Sequence, residues 1–261
     1  MTNGFHRWFR ALAELVGTFG SSGRDRSTSA YGLSHRGGLG LFSEERFAQI
    51  PPRLRVSGAI EVVFHQHPIF QLRVSVEDAS MLRRVSTKVQ AGVLVVEMIP
   101  DVRVGSVLRR ARGSVDIEGY SGRVIVGVAA PRMHEITVSG AASVDLTSLH
   151  EDDVDLNVTG SGRIRGAGSS TNLTATLSGA GSILCDEFSA TNLRCSVEGA
   201  GRIRICATSR VRARVSGAGS LMVFGEPSER DIGTSGAGSI KFGGPARQSK
   251  HSASAWEGAA R

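Results

Sequence analysis

The chain has 261 residues, 33 of them glycine, with 5% aromatic residues and a formal net charge of +7. That length accommodates one large β domain or two average ones. The glycine-rich, aromatic-poor composition argues against an α/β enzyme and for many tight turns.

Charge is unevenly distributed. The positive excess lies in residues 1–55, 101–133 and 244–261, residues 56–100 are balanced, and residues 134–243 are slightly acidic. A nucleic-acid binder would carry its basic stripe on the folded face, so a nucleic-acid partner is not expected. Three cysteines in a chain of this length do not make a disulfide framework. No run of eighteen apolar residues is present, so no membrane-spanning helix is expected.

In chain order, "FHRWFRALAELVGTFG" places Phe5, Trp8, Phe9, Leu12, Leu15, Val16 and Phe19 at helical spacing, which predicts an amphipathic helix over residues 1–19. Three readings fit it. The helix packs on the protein's own body, it makes peripheral membrane contact through residues 5–19, or it is a degenerate targeting segment whose apolar part Glu14 interrupts. Residues 20–52 read as a flexible linker, because residues 20–45 are rich in Ser, Gly and Arg. From Arg53 the texture changes. "LRVSGAIEVVFHQHPIFQLRVSVED" alternates apolar and polar residues and predicts strands, "ASMLRRVSTKV" a short helical turn or loop, and "GVLVVEMI" another strand. Residues 101–122 are charged and irregular and predict a long loop or insertion. The tail 244–261 has no apolar period and is expected to be disordered.

The repeats fill residues 134–243. Aligned on their first glycine, the copies begin at Gly140, Gly160, Gly179, Gly199, Gly217 and Gly236, about 19 residues apart, a period that signals stacked supersecondary units. Four positions later stand Val144, Ile164, Ile183, Ile203, Leu221 and Ile240. Two positions earlier stand Val138, Val158, Leu177, Val197, Val215 and Thr234. Each repeat is therefore two short strands of period 2 with one apolar face, and the glycine pair forms the bend between them. One such coil cannot bury its apolar face alone; stacked coils can. The expected fold is all-β, a right-handed parallel β-helix (β-solenoid) over residues 53–243 with coils of about 19 residues. The corner glycines are assigned to positive φ. The residue between each glycine pair is always Ala or Ser, which reads as a corner too crowded for more. Ser139, Thr159, Ser178, Ser216 and Ser235 precede the first glycine and could form a hydroxyl ladder. Thr234 and Arg230 stand where other copies carry aliphatics, which reads as a polar cap on the last coil, and the N-terminal helix is a candidate cap for the other end.

The "SGAGSI" corners, preceded by "VSGAIEVVFHQ", "FQLRVSVED", "LRRVSTKVQAGVLVVE" and "VIVGVAAPRMHEITVSGA", resemble the head GIN domain family of putative auto-transporter adhesins over residues 53–245. The resemblance implies a bacterial β-solenoid domain of exported or envelope proteins and an adhesive role, and it supplies no catalytic residues.

Candidate chemistry is sparse. His65-Gln66-His67 puts two imidazoles on one strand face, a half-site at most, since zinc needs three or four ligands. No metal or cofactor is expected. Cys185 and Cys195 fall in apolar columns and should be buried, whereas Cys206 falls one position outside its column and should face outward. Glu135 and Asp155 share a column in neighbouring coils, as a carboxylate pair acting on a glycosidic bond would, but the column continues Thr174, Arg194, Arg212 and reads as a solvated surface. No catalytic residue is assigned. Arg163, Arg165, Arg202, Arg204 and Lys241 project outward and form a candidate polyanion-facing ladder, but the nearby acids and the acidic balance of residues 134–243 argue for a surface of mixed charge instead. The favoured reading is a non-enzymatic binding or adhesion scaffold of the cell envelope with a protein or polysaccharide surface ligand. A self-assembling structural solenoid and, further off, a polysaccharide-acting enzyme are the alternatives. The ligand and the oligomeric state are not specified by these residues.

Overall fold

The computed structural model describes residues 41–46, 49–99 and 122–244. The readings for residues 1–19 and for the tail beyond Gly244, the whole of the stretch 20–40, and all but the last residue of the segment 101–122 lie outside the described residues.

The described chain is a β-solenoid. Strands β2 (Arg53–Ser57), β3 (Glu61–Gln66), β4 (Gln71–Val76), β5 (Val85–Gln90), β6 (Val93–Met98), β7 (Val124–Ala130) and β8 (Glu135–Gly140) lead into four long strands. These are β9 (Ser143–Gly160), β10 (Arg163–Gly179), β11 (Ser182–Gly199) and β12 (Arg202–Gly217), and they stack in parallel with matching registers. β13 (Ser220–Phe224), β14 (Glu229–Ser235) and β15 (Ser239–Phe242) complete the last coils. Each long strand runs from one glycine corner to the next. It bends midway, so its first half lies on one sheet face and its second half on the other. The two strands expected per repeat are thus fused at a bend, marked by register shifts between Arg165 and Ala167 and between Cys185 and Ser189. The face after the glycine corner will be called the post-corner face, and the other the pre-corner face. Between them runs one continuous core in which Val144, Ile164, Ile183 and Ile203 of the post-corner face and Leu156, Ala175, Cys195 and Ala213 of the pre-corner face are all buried.

The corner is a backbone-on-backbone contact. The amides of Ser161, Ala180, Ala200 and Ala218 donate to the carbonyls of Gly140, Gly160, Gly179 and Gly199, each at 2.9 Å. Gly179 has φ +113°, and a Cβ there would stand 2.7 Å from the Gly160 carbonyl oxygen. At Gly181 a Cβ would stand 2.5 Å from the Gly162 oxygen and 2.7 Å from a Val158 methyl. The first glycine is required by conformation and by the coil beneath it, the second by the core side chain it overlies. The intervening residue is a different matter. Ala141, Ser161, Ala180, Ala200, Ala218 and Ala237 are all exposed, so crowding at that position does not explain its small size; the crowding acts on its two neighbours.

Chain order and stacking order differ at the N-terminal end. β2 lies between β6 and β8, and β3 between β7 and β9, all parallel. The first coil in sequence, turned at Gly58 (φ +93°), is therefore sandwiched by two later ones. β4 then pairs antiparallel with β7, and β5 antiparallel with β6. A 3-10 helix, Ala79–Arg84, joins them and buries Met81. The end is further covered by β1 (Phe42–Arg46), antiparallel to β4. This corrects the reading of 20–52 as linker throughout. Glu45 pairs with Arg73 at 2.5 Å, Ser43 and Ser75 share a hydrogen bond of 2.9 Å, and Arg46 donates to the carbonyls of Val85 and Leu82 at 2.6 and 2.8 Å. An edge strand such as β4 offers unpaired backbone groups, and β1 satisfies them. Antiparallel strands and the 3-10 helix thus close this end among the described residues.

The opposite end carries the polar cap. Arg230, in a column otherwise filled by Val154, Leu173, Leu193 and Val211, lays its guanidinium 4.2 Å from the Phe242 ring centroid and donates to the Pro227 carbonyl. A cation over an aromatic face covers apolar surface while remaining hydrated. Ile232, inward-facing by register, is still 49% exposed because no coil follows.

Replacing Gly179 by Ala combines left-handed backbone with a clash and should lower the free energy of unfolding by about 1–3 kcal/mol. Ala180→Ser, one residue away at an exposed position, should change it by less than about 0.5 kcal/mol. Urea denaturation of the two variants checks this. Equal destabilisation would contradict the assignment of crowding to the glycines.

Candidate functional site

Because strand side chains alternate, each coil shows the solvent one row of outward residues, and parallel in-register stacking aligns these rows into columns. On the post-corner face, one column runs Ser143, Arg163, Ser182, Arg202, Ser220, Ser239 and the next Asp145, Arg165, Leu184, Arg204, Met222, Lys241. All five cations of the sequence-derived ladder therefore lie on one face, in two adjacent columns.

They are not equivalent. Arg165 donates to Asp145 at 2.8 Å and Arg204 pairs with Asp186 at 2.5 Å, with its guanidinium also 5.4 Å from the Phe224 ring. Burial raises the Asp145 carboxyl above its ordinary range, and the attraction and hydrogen bond of Arg165 oppose the shift. Arg163 instead points its Nε at Ser182 Oγ, 3.3 Å away. Among the described residues Arg163, Arg202 and Lys241 form no ion pair. The sequence pointed to nearby acids and mixed charge but did not single out the neutralising partners. Asp145 was legible as the coil-to-coil neighbour of Arg165, but Asp186 sits at the bend, where the register shift breaks column counting.

The pre-corner face is an ion-pair lattice. Glu135 and Asp155 are register neighbours, as expected, but the Glu135 carboxylate is held by Arg53 at 2.6 Å. Arg210 pairs with Glu229, and Arg212 and Arg214 both pair with Asp231. These arginines hold the Glu229 and Asp231 carboxyls below their usual range. Coil-to-coil amide bonds run from Asn192 to Asn172 at 3.0 Å and from Asn172 to Asp153 at 2.8 Å. In the hydroxyl column beside the corner, Glu198 interrupts between Ser178 and Ser216. A shallow groove of about 280 Å³ lies on this face near the last coil, lined by Ser196, Glu198, Arg214, Ser216, Gly233 and Ser235. Its one guanidinium is already bound to Asp231.

At the bend near β3, His65 and His67 stack with ring centroids 6.1 Å apart. His65 Nδ1 shares a hydrogen bond of 2.9 Å with the Thr147 hydroxyl, and the amide of Ile69 donates to His67 Nδ1. Gln66 clamps the turn, donating to Pro131 and Glu151 and accepting from the His150 amide. No cluster of three metal-ligating groups occurs among the described residues. Burial, with the neighbouring His67, lowers the His65 pKa from 6.5.

Cys185 and Cys195 are buried as expected. Burial pushes the Cys185 thiol up to about 12 and raises Cys195 further. The expectation for Cys206 is corrected: it is 2% exposed. The register jumps so that Cys206 lies opposite Ser189. At that bend Ile205, Cys206 and Ala207 are consecutively buried, so period-2 counting fails there.

A family described as "Putative auto-transporter adhesin, head GIN domain" matches residues 51–227. The chain belongs to that family. Among solved structures it is similar to a putative adhesin of Bacteroides fragilis, with 17% identity over 77% of this chain and 96% of that one and a TM-score of 0.53. It is also similar to a putative adhesin of Parabacteroides merdae, with 16% identity over 79% and 98% and a TM-score of 0.46. The first likeness supports the shared fold. No curated protein matches the sequence. No helix among the described residues is long and apolar enough to cross a membrane.

A histidine whose native pKa is depressed stabilises the fold in its neutral form. That contribution is present above the unfolded value of 6.5 and is lost as pH falls from there through the lower native value. His65→Asn should therefore gain stability relative to the parent between about pH 7.5 and pH 5, measured by urea unfolding at each pH. Parallel stability curves would contradict the shift.

Proposed function

We propose that this chain is a non-enzymatic binding module of the bacterial cell envelope that holds an extended surface ligand against the outside of its solenoid. The observation that carries this reading is the post-corner face, where strand after strand presents short outward side chains and unpaired cations in straight columns. Such a surface suits a long ligand lying flat, with weak contacts repeated from coil to coil. It contrasts with enzyme sites, where polar groups converge in a concave pocket. The carboxylates nearest to a glycosidase arrangement, Glu135 and Asp155, do not favour catalysis, because Arg53 engages the first of them. Family membership supports the adhesive role and the envelope location.

Two measurements test the proposal together. In the native cells, fractionation and mild external proteolysis should find the protein in the envelope and cleavable from outside. The purified chain should retain a surface polymer reversibly and release it with unchanged length on gel filtration. A cytosolic protein shielded from external protease, or a polymer returned in fragments, would contradict it.

A further inference from the structure

We infer that the post-corner face recognises an acidic polysaccharide that carries one anionic group on alternate sugars and lies along the solenoid axis. The inference rests on the binding-module reading and names its ligand class. The free cations on this face recur with a fixed period. Arg163 is followed one coil on by Ser182, then Arg202, then Ser220 and Ser239. Lys241 stands beside Ser239, two coils beyond Arg202. Since Asp145 and Asp186 neutralise Arg165 and Arg204, the cations left without a carboxylate among the described residues fall on every second coil. Coils repeat at the strand spacing, so the unpaired charges recur about every 10 Å. Sugars in an extended glycan advance by about one strand spacing each, so this is the period of a disaccharide. The coils between present Ser182 and Ser220, whose hydroxyls can both donate and accept, as the uncharged sugar of such a repeat requires.

The neighbouring column strengthens the fit. Leu184 and Met222 are half-buried in it and give a low apolar floor beside each serine, on which the less polar face of a sugar ring can rest. Arg163 attracts Asp145 at longer range but makes no contact ion pair with it among the described residues; Asp145 gives its hydrogen bonds to Arg165, and Arg163 is held toward Ser182 instead. The opposite face offers no such alternating series: Arg53, Arg210, Arg212 and Arg214 are each held by a carboxylate, and Arg55 and Arg194, which form no ion pair among the described residues, stand four coils apart. A nucleic acid fits poorly. Duplex DNA carries a charge about every 1.7 Å, and single strands demand aromatic stacking platforms, whereas the columns between Arg163 and Lys241 contain no aromatic residue.

The test uses the full chain, immobilised, with hyaluronan (a carboxylate on alternate sugars), chondroitin sulfate (carboxylate and sulfate on adjacent sugars), neutral dextran and a short DNA duplex as probes. Hyaluronan or chondroitin sulfate should bind, and weaken as salt rises; which of them binds better tells carboxylate from sulfate recognition. Arg163→Ser with Arg202→Ser should weaken that binding by about tenfold, since two charge-assisted contacts are removed. Arg163→Lys with Arg202→Lys should retain most of it. Arg165→Ser, which removes a cation already paired, should change it less than about twofold. Unaltered binding by the double serine variant with a native denaturation curve, or stronger binding to DNA, would overturn the inference. Retention of dextran alone would overturn it while leaving the binding-module reading intact. If none of the four polymers binds and the protein is also shielded inside native cells, both fall.

Discussion

The structure depends on how closely successive backbones approach at the glycine corner. An amide of one coil meets a carbonyl of the coil below at 2.9 Å, at Ser161, Ala180, Ala200 and Ala218 alike. A Cβ on the first glycine of the pair would intrude on that carbonyl, and a Cβ on the second would strike a core side chain such as Val158 or Leu177. Any drift of the corner would lengthen or shorten a coil. Columns of outward side chains would then lose alignment, and with them any surface whose contacts depend on a regular period. The glycines carry no ligand chemistry, yet they set the spacing at which Arg163 and Arg202 are presented.

The two faces make opposite use of that spacing. Where charges of opposite sign fall in neighbouring coils, as with Arg53 and Glu135 or Arg212 and Asp231, they pair. Each exposed pair contributes little to stability, but it removes both groups from competition for an external ligand. Where serine separates the cations, as between Arg163 and Arg202, no such pairing occurs. An adhesive surface and an inert one can thus be built on the same coils by placing carboxylates or hydroxyls opposite arginine.

Much of this was legible in the sequence because the repeat is local. Gly140, Gly160, Gly179, Gly199, Gly217 and Gly236 announce the corner, and the aliphatics two residues before and four after announce the core. What was not legible depends on pairing between distant segments. Nothing in "VSGAIEV" reveals that its coil is enclosed by β6–β7 on one side and β8–β9 on the other. The charged strand Phe42–Arg46 looks like linker until β4 supplies its partners. Cys206 and Asp186 were misplaced or overlooked for one reason. Both sit at the second bend, where the chain drops residues relative to the coil below and no glycine marks the step. The arginine ladder was found as a set, but separating its free members from its paired ones required the registers.

On the proposed reading, a regular stack of coils presents charges at a fixed interval to a linear ligand. The most direct measurement is the affinity of hyaluronan oligosaccharides of increasing length, read by backbone amide shifts of the isotopically labelled chain. Affinity should rise with each added disaccharide until the oligosaccharide spans Arg163 to Lys241, four coils or about 19 Å, and then level off, with shifts confined to the post-corner strands of β10, β11, β12, β13 and β15. Affinity independent of length, or shifts centred on the pre-corner face, would contradict it.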